Sequence, residues 1–357
     1  MKVCIVTVYN SLNYGSFLQA FALSEVLKEM GHEVSFLETK ARNPLAQTLK
    51  STTKKIINFD YEGVKLNIQK YIKFKNANKK FNICKKKIDE LEKQDVFIFG
   101  SDEIWNISRE DFSKYPIFLG MGLPKKFFMS YAPSINTTTY QMIKESSYFI
   151  ECINSIDRIS VRDKHSLCTL QQVTSKDIDI VLDPTLLLDK DKYNSLEEKC
   201  DDKNYILVYS YGHNMTEERI KKIREFANLK KMKLISIGFD LKWCDKSISA
   251  SPFLFLSYIK NAAYVITDTF HGTVFSIIYN KSFVTYGGSN TKIGEITNQF
   301  GISERNINNE DSLEVAFSNN IEYREVNSFI EKYKNDSLKY IYDSFESIKE
   351  KKDENIT

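Results

Sequence analysis

The chain contains no run of about 18 apolar residues, so no part of it reads as a transmembrane helix. Its six cysteines (Cys4, Cys84, Cys152, Cys168, Cys200 and Cys244) are scattered without a CxxC spacing. That pattern supports neither a zinc site nor a disulfide framework, so no metal is expected and the reducing cytoplasm is the expected setting. No GxGxxG follows the first apolar run, which removes the dinucleotide fingerprint. The net charge is only +3, too little for a dedicated nucleic-acid binder. The opening "MKVCIVTVYNSLNYG" turns polar too early for a signal peptide and reads as a first core strand. Histidine is scarce too: the chain has four.

What is present is an ordinary globular composition, 42% hydrophobic and 27% charged, in 357 residues, enough for roughly two domains. "KVCIVTV" predicts a strand and "YNSLNYGS" a polar loop. In "FLQAFALSEVLKEMG", Leu18, Ala22, Leu23, Val26 and Leu27 recur at helical spacing before a C-cap glycine, Gly31. "HEVSFLE" follows as a strand. From Lys40 to Lys93 the chain becomes lysine-rich and aromatic-spotted, which predicts a helical excursion. Its faces are either solvated, or form a basic flap over a cleft or against anionic lipid. "DVFIFGSDEIWN" then gives a strand ending in Gly100, Ser101 and Asp102. "KKFFMSYAPS" gives another, and "IDRISVRDKHSL" gives a strand, Arg162 and Asp163, then a helix. "IDIVLDPTLLL" reads as a short strand and an Asp-Pro turn in which Asp183 is a turn residue.

The second half repeats the alternation. "NYILVYSYG" and "MKLISIGF" are strands around a helix capped by Thr216, and Pro252 opens another helix. "AAYVITDTFHGTVFSIIYNKSFVTYG" is strand, polar turn, helix, strand. The expected domains are 1–180, with the excursion at about 40–95, and 181–325. A C-terminal helix over 326–357 then packs back on the first domain. Two successive α/β domains with polar residues at their strand ends imply a cleft between them.

His271 falls where a strand ends and a helix begins, the place where open α/β sheets bind ligands and where free helix N–H groups favour an anion. Its imidazole could donate to a phosphate or carboxylate, act as general acid or base, or simply cap the turn. Trp105 could stack on a sugar or belong to the core.

Several motifs together, "NYGSFLQAFAL", "FIFGSDEIWN", "ISVRD", "VLDPTLLL", "FLFLSYIKNAAYVITDTFHGTVFSIIY" and "KSFVTYG", occur in order between Asn13 and Gly287. This set resembles the polysaccharide pyruvyl transferase family, in its "FHG" branch. The resemblance implies two Rossmann-like domains facing a central cleft, the GT-B type. It implies transfer of pyruvate from phosphoenolpyruvate, as co-substrate, to a sugar of a cell-surface polysaccharide or its lipid-linked precursor, with formation of a ketal. No metal or organic cofactor is implied, and peripheral contact with the inner membrane face would suit a lipid-linked acceptor.

By the same resemblance His271 is the general acid or a phosphate ligand, and Asp102 the base. Arg162, Gly272, Thr273 and Lys292 join His271 on the donor. Asn13, Tyr14, Gly15, Ser16, Glu103, Trp105 and Asp268 face the acceptor. Better-known members carry an arginine two residues before the histidine, where this chain has Thr269. Either Lys292 or a lysine of the basic segment takes its place, or the donor differs. Two other functions stay open: a nucleotide-sugar-dependent glycosyltransferase, and a non-catalytic component of a polysaccharide assembly complex.

Overall fold

A computed structural model describes residues 1–357 except 40, 213, 289–290, 310 and 355–357, with side chains to residue 349. The last residues of the expected C-terminal helix, 355–357, therefore lie outside the described residues.

Two parallel five-stranded sheets organise the chain. The first consists of β1 (Lys2–Val6), β2 (Glu33–Leu37), β3 (Ile83–Cys84), β4 (Val96–Phe99) and β5 (Phe127–Ser130), in the order β3-β2-β1-β4-β5. A short pair, β6 (Ile159–Val161) and β7 (Ile178–Ile180), joins β5 through the backbone of Arg158, whose carbonyl accepts from Ser130 N at 2.9 Å. The second sheet holds β8 (Tyr205–Tyr209), β9 (Lys233–Ile237), β10 (Lys246–Ile248), β11 (Tyr264–Thr267) and β12 (Phe283–Thr285). Its order, β10-β9-β8-β11-β12, repeats that of the first. Central strands such as VFIF in β4 and YILVY in β8 are buried at every position, as parallel strands covered on both faces must be. In each sheet the chain reverses direction of winding at one point, between β1 and β4 and between β8 and β11. Those crevices are where such sheets bind ligands.

Helix α1 (Tyr14–Glu29) wedges between the two halves. Thirteen of its residues are buried, because it meets the first sheet on one side and the second domain on the other. It begins earlier than the loop "YNSLNYGS" suggests. The Asn13 side chain accepts from Ser16 N at 3.1 Å and caps the helix, so Tyr14, Gly15 and Ser16 form its first turn. Tyr14 is fully buried, stacked 4.5 Å from Phe255 of the second domain, with its hydroxyl bonded to the Ala250 carbonyl.

The basic excursion folds as two helices, α2 (Pro44–Ile57) and α3 (Tyr61–Ala77), and then returns to the sheet edge as β3. That strand has only two residues, too few to show an alternation in the sequence. The hairpin reaches the second domain: Lys70 Nζ donates to Gly238 O at 2.8 Å, and Lys55 pairs with Asp240 at 2.9 Å. The C-terminal helix, Tyr323–Glu354, runs back across the first domain. There Tyr340 OH donates to Ser130 O at 2.9 Å and Phe345 stacks on His32. No helix among the described residues is long and apolar enough to cross a membrane.

Candidate functional site

The strand ends of both sheets open into one cleft of about 890 Å³. Each half contributes through its own loop chemistry. After β4 the chain makes an irregular turn in which Asp102 takes φ 77°, a left-handed conformation that costs a non-glycine residue about 1–3 kcal/mol and is typical of functional sites. After β11 the chain needs only Asp268 before Thr269 caps helix α4 (Phe270–Ile278), accepting from Gly272 N at 3.0 Å. His271 thus sits in the first helical turn, near N–H groups that have no partner within the helix.

The His271 ring is brought down to the cleft floor by a close approach to α1. A Cβ built on Gly15 would lie 2.0 Å from His271 Nδ1, so only glycine leaves the ring its place. On the other side Asp183 Oδ2 lies 3.7 Å from His271 Nε2, a counter-charge beyond hydrogen-bonding reach. The same oxygen accepts from Arg162 Nη1 at 2.7 Å, while Oδ1 accepts from Thr185 N and Oγ1. Arg162 Nη2 is 3.7 Å from Asp102 Oδ1, and the other Asp102 oxygen accepts from Ser16 Oγ at 2.6 Å. The guanidinium lies over the Phe270 ring, 5.1 Å from its centroid. Lys292 pairs with Glu103, which also faces Arg109 at 3.7 Å.

These charges are interdependent. Burial disfavours ionised Asp183, yet His271 and Arg162 beside it hold its carboxyl well below the usual carboxylate range. Burial also opposes the charge on Asp102, and Arg162, His271 and the Ser16 hydroxyl outweigh it, so its carboxyl is lowered as well. For Glu103 burial is again overcome, here chiefly by Lys292. Arg162 is penalised by burial but lifted overall by Asp183, Asp102 and Glu103. Even so, Nε and Nη2 of Arg162 and Nε2 of His271 are buried without a hydrogen-bond partner among the described residues.

Of the residues named from sequence, Asn13, Ser16, Asp102, Glu103, Arg162, Asp268, His271 and Lys292 line this cleft together. Five others do not. Tyr14 is spent on packing between the domains, and Gly15 lies behind the histidine. Trp105 is fully buried in the first domain's core with its indole N–H donating to Phe118 O at 3.0 Å, so it cannot stack on a sugar. Gly272 packs against the Thr267 and Thr269 hydroxyls. The Thr273 hydroxyl bonds to Thr269 O and Thr285 Oγ1 inside the domain. Thr269, at the position where an arginine was expected, is committed to the helix cap.

Asp183 is the residue the sequence reading undervalued. It follows the apolar run Ile180 to Leu182 as Asp102 follows β4, and that parallel was the available signal. Tyr211, beyond β8, and Arg109 also line the cleft. Tyr211 OH accepts from Asn13 Nδ2 at 2.9 Å, joining the switch-point loops of the two sheets. Among the described residues no group of three or more His, Cys, Asp or Glu side chains is placed to hold a metal.

The family model for polysaccharide pyruvyl transferase matches residues 13–290. The chain belongs to the polysaccharide pyruvyl transferase family. The matched span contains every strand of the two sheets except β1, and all of the cleft except its rim after residue 290, and membership implies a transferase. No curated protein gives a significant sequence match.

Among solved structures the chain is similar to a protein from Listeria monocytogenes provisionally assigned as a UDP-N-acetylglucosamine 2-epimerase. The two share 12% identity and a TM-score of 0.52, over 94% of this chain and 90% of that one. An α-glucosyltransferase in complex with UDP and DNA gives 10% identity and a TM-score of 0.52, over 98% and 99%. The UDP-GlcNAc 2-epimerase of Neisseria meningitidis gives 10% and 0.50, over 97% and 100%. At such identities the likeness is one of fold: the GT-B arrangement of two Rossmann-like domains around a cleft.

Proposed function

We propose that this pyruvyl transferase family member takes phosphoenolpyruvate as donor. Its pyruvyl carbon passes to two hydroxyls of a sugar in a cell-surface polysaccharide or its lipid-linked precursor. The observation that carries the reading is the set of three buried polar atoms without partners, Arg162 Nε, Arg162 Nη2 and His271 Nε2, beside the start of α4. A buried donor left unpaired costs about 1–3 kcal/mol, which a ligand rich in anionic oxygens would recover. Phosphoenolpyruvate offers a carboxylate and a phosphate a few ångströms apart.

In this reading the donor's methylene carbon receives a proton from His271, held between Gly15 and Asp183. The electron pair of its C=C bond forms the new C–H bond, leaving a cationic centre at C2. The first sugar hydroxyl adds there and gives its proton to Asp102. The C2–O bond to phosphate breaks, the second hydroxyl closes the ring, and the remaining proton leaves with phosphate. The products are the methyl-bearing cyclic ketal and inorganic phosphate, with no change of oxidation state. Arg162 holds the donor's anionic end throughout, and Asn13, Ser16 and Asp268 face the acceptor.

The test is thermal melting of the purified protein with phosphoenolpyruvate, UDP and UDP-sugars in parallel. A ligand at a hundred times its Kd stabilises the fold by about 2.7 kcal/mol. Phosphoenolpyruvate is expected to raise Tm, and Arg162→Lys, which replaces a planar fork by a point charge, to cut its affinity by about tenfold. A rise with UDP and none with phosphoenolpyruvate would overturn the donor assignment.

A further inference from the structure

The α2–α3 hairpin exposes large apolar side chains, none of which lines the cleft. Phe59, at its tip, is 77% exposed and Ile57 68%. On α3 the exposed Tyr61, Ile68 and Ile72 follow at spacings of seven and four, hence on one helical face. That face is opposite the one that buries Lys70 against Gly238 of the second domain and Phe74 against Tyr14 and Phe17 of α1. On α2, Leu45, Leu49 and Ile56 make a second exposed stripe. An apolar area of this kind on a monomer marks an interaction site.

Its charge says with what. Residues 44–80 carry nine lysines against two acidic residues, while the whole chain is only +3, so the remainder of the protein is net negative. Lys50, Lys54, Lys65 and Lys75 are exposed among the apolar residues, and Asp60, one of the two acids, is already paired with Lys55 and Lys242. Apolar side chains interleaved with exposed lysines suit the boundary between headgroups and acyl chains of an anionic bilayer.

We infer that the α2–α3 hairpin docks the protein on an anionic membrane surface, with Ile57, Phe59 and Tyr61 entering the headgroup region and the flanking lysines facing acidic lipid. The hairpin's inner face borders a cavity of about 590 Å³ whose wall at Tyr211 is shared with the main cleft. The inference does not depend on the donor, and neither Phe59 nor Ile57 lines the cleft.

The experiment is co-sedimentation of the full chain with vesicles of phosphatidylcholine alone or with phosphatidylglycerol, beside sedimentation velocity without lipid. Binding is expected only with phosphatidylglycerol and to weaken with salt. Ile57→Ser/Phe59→Ser should reduce partitioning on the order of tenfold or more, and Lys50→Glu/Lys54→Glu at least as much. The melting temperature and the phosphoenolpyruvate shift should stay unchanged in both variants, which separates this result from failure of the donor assignment. Equal binding to neutral vesicles, or none to either, would overturn the inference. So would a wild-type dimer that the Ile57→Ser/Phe59→Ser variant dissociates.

Discussion

The two sheets share a strand order and differ in the loops that leave their equivalent strands. β4 and β11 both stand fourth in the order and both lead within a few residues to an aspartate, Asp102 and Asp268. After β4 the chain wanders through Ser101 to Ser108 before any helix, and its carboxylates reach the cleft from an irregular loop. After β11 a single capped turn leads into α4, which presents His271 and helix N–H groups. One topology thus gives an acid-bearing wall and a wall built from a histidine and a helix start, because strand order sets the crevice's position while the loop sets its chemistry. Asp183 then ties the walls together, accepting from Arg162 of the first domain and facing His271 of the second.

The largest effect in breaking this division of labour is expected from His271→Ala. It should lower turnover by about 10²- to 10⁴-fold, the usual worth of a positioned acid or base. The melting temperature should stay within a few degrees, and steady-state phosphate release beside a thermal melt would check both. A variant that keeps its rate would move the chemistry away from the second domain's wall.

Asp183→Asn probes the tie itself. Removing one partner of a buried ion pair leaves Arg162 with only its longer contact to Asp102 and should cost on the order of 3 kcal/mol of stability. The pH dependence has a definite sign. Asp183 and Asp102 have folded carboxyls held below the ordinary value, so their contribution is fully present at neutral pH and is lost as pH falls below about 4. Urea unfolding at a series of pH values should show a shallower acid decline in Asp183→Asn than in the wild type, and parallel curves would contradict the linkage.

Gly15→Ala addresses the contact between α1 and the histidine. The added methyl would fall within 2.0 Å of Nδ1, so the ring must move, and a displacement of about 1 Å costs about a hundredfold in rate. Helix α1 itself gains from alanine, so a slow enzyme of undiminished Tm is expected. Turnover equal to wild type would mean the ring's placement is not critical. The smallest functional effect is expected from Trp105→Phe. It should cost about 1–3 kcal/mol through its lost hydrogen bond and packing, yet leave the ligand-induced shift in Tm unchanged. A changed shift would return Trp105 to the site.

Much of this architecture was legible in the chain. Buried parallel strands write themselves as short apolar runs, and their ends as Asp102, Arg162 and His271, so the alternation and most of the cleft's lining could be named in advance. The helix cap at Thr216 was legible in the same way, whereas Asn13, read as part of a loop, proved to cap α1. The two-residue strand β3 was not legible, because a period of two needs more than two residues to show.

What the sequence determined by itself was local: which segments are strands, which polar residues lie at their ends, and that the hairpin is basic. What only the tertiary structure decided was which of those residues meet. Tyr14 and Trp105 look like neighbours of the site along the chain, yet one is packed between domains and the other lies in a core. Asp183 looks like a turn residue, yet it sits under both Arg162 and His271. The reason is physical. Burial, ion pairing and the space left by Gly15 are properties of surfaces brought together from residues about twenty positions apart, as in Arg162 and Asp183, to more than two hundred and fifty, as in Gly15 and His271, and no local period in the chain encodes such distances.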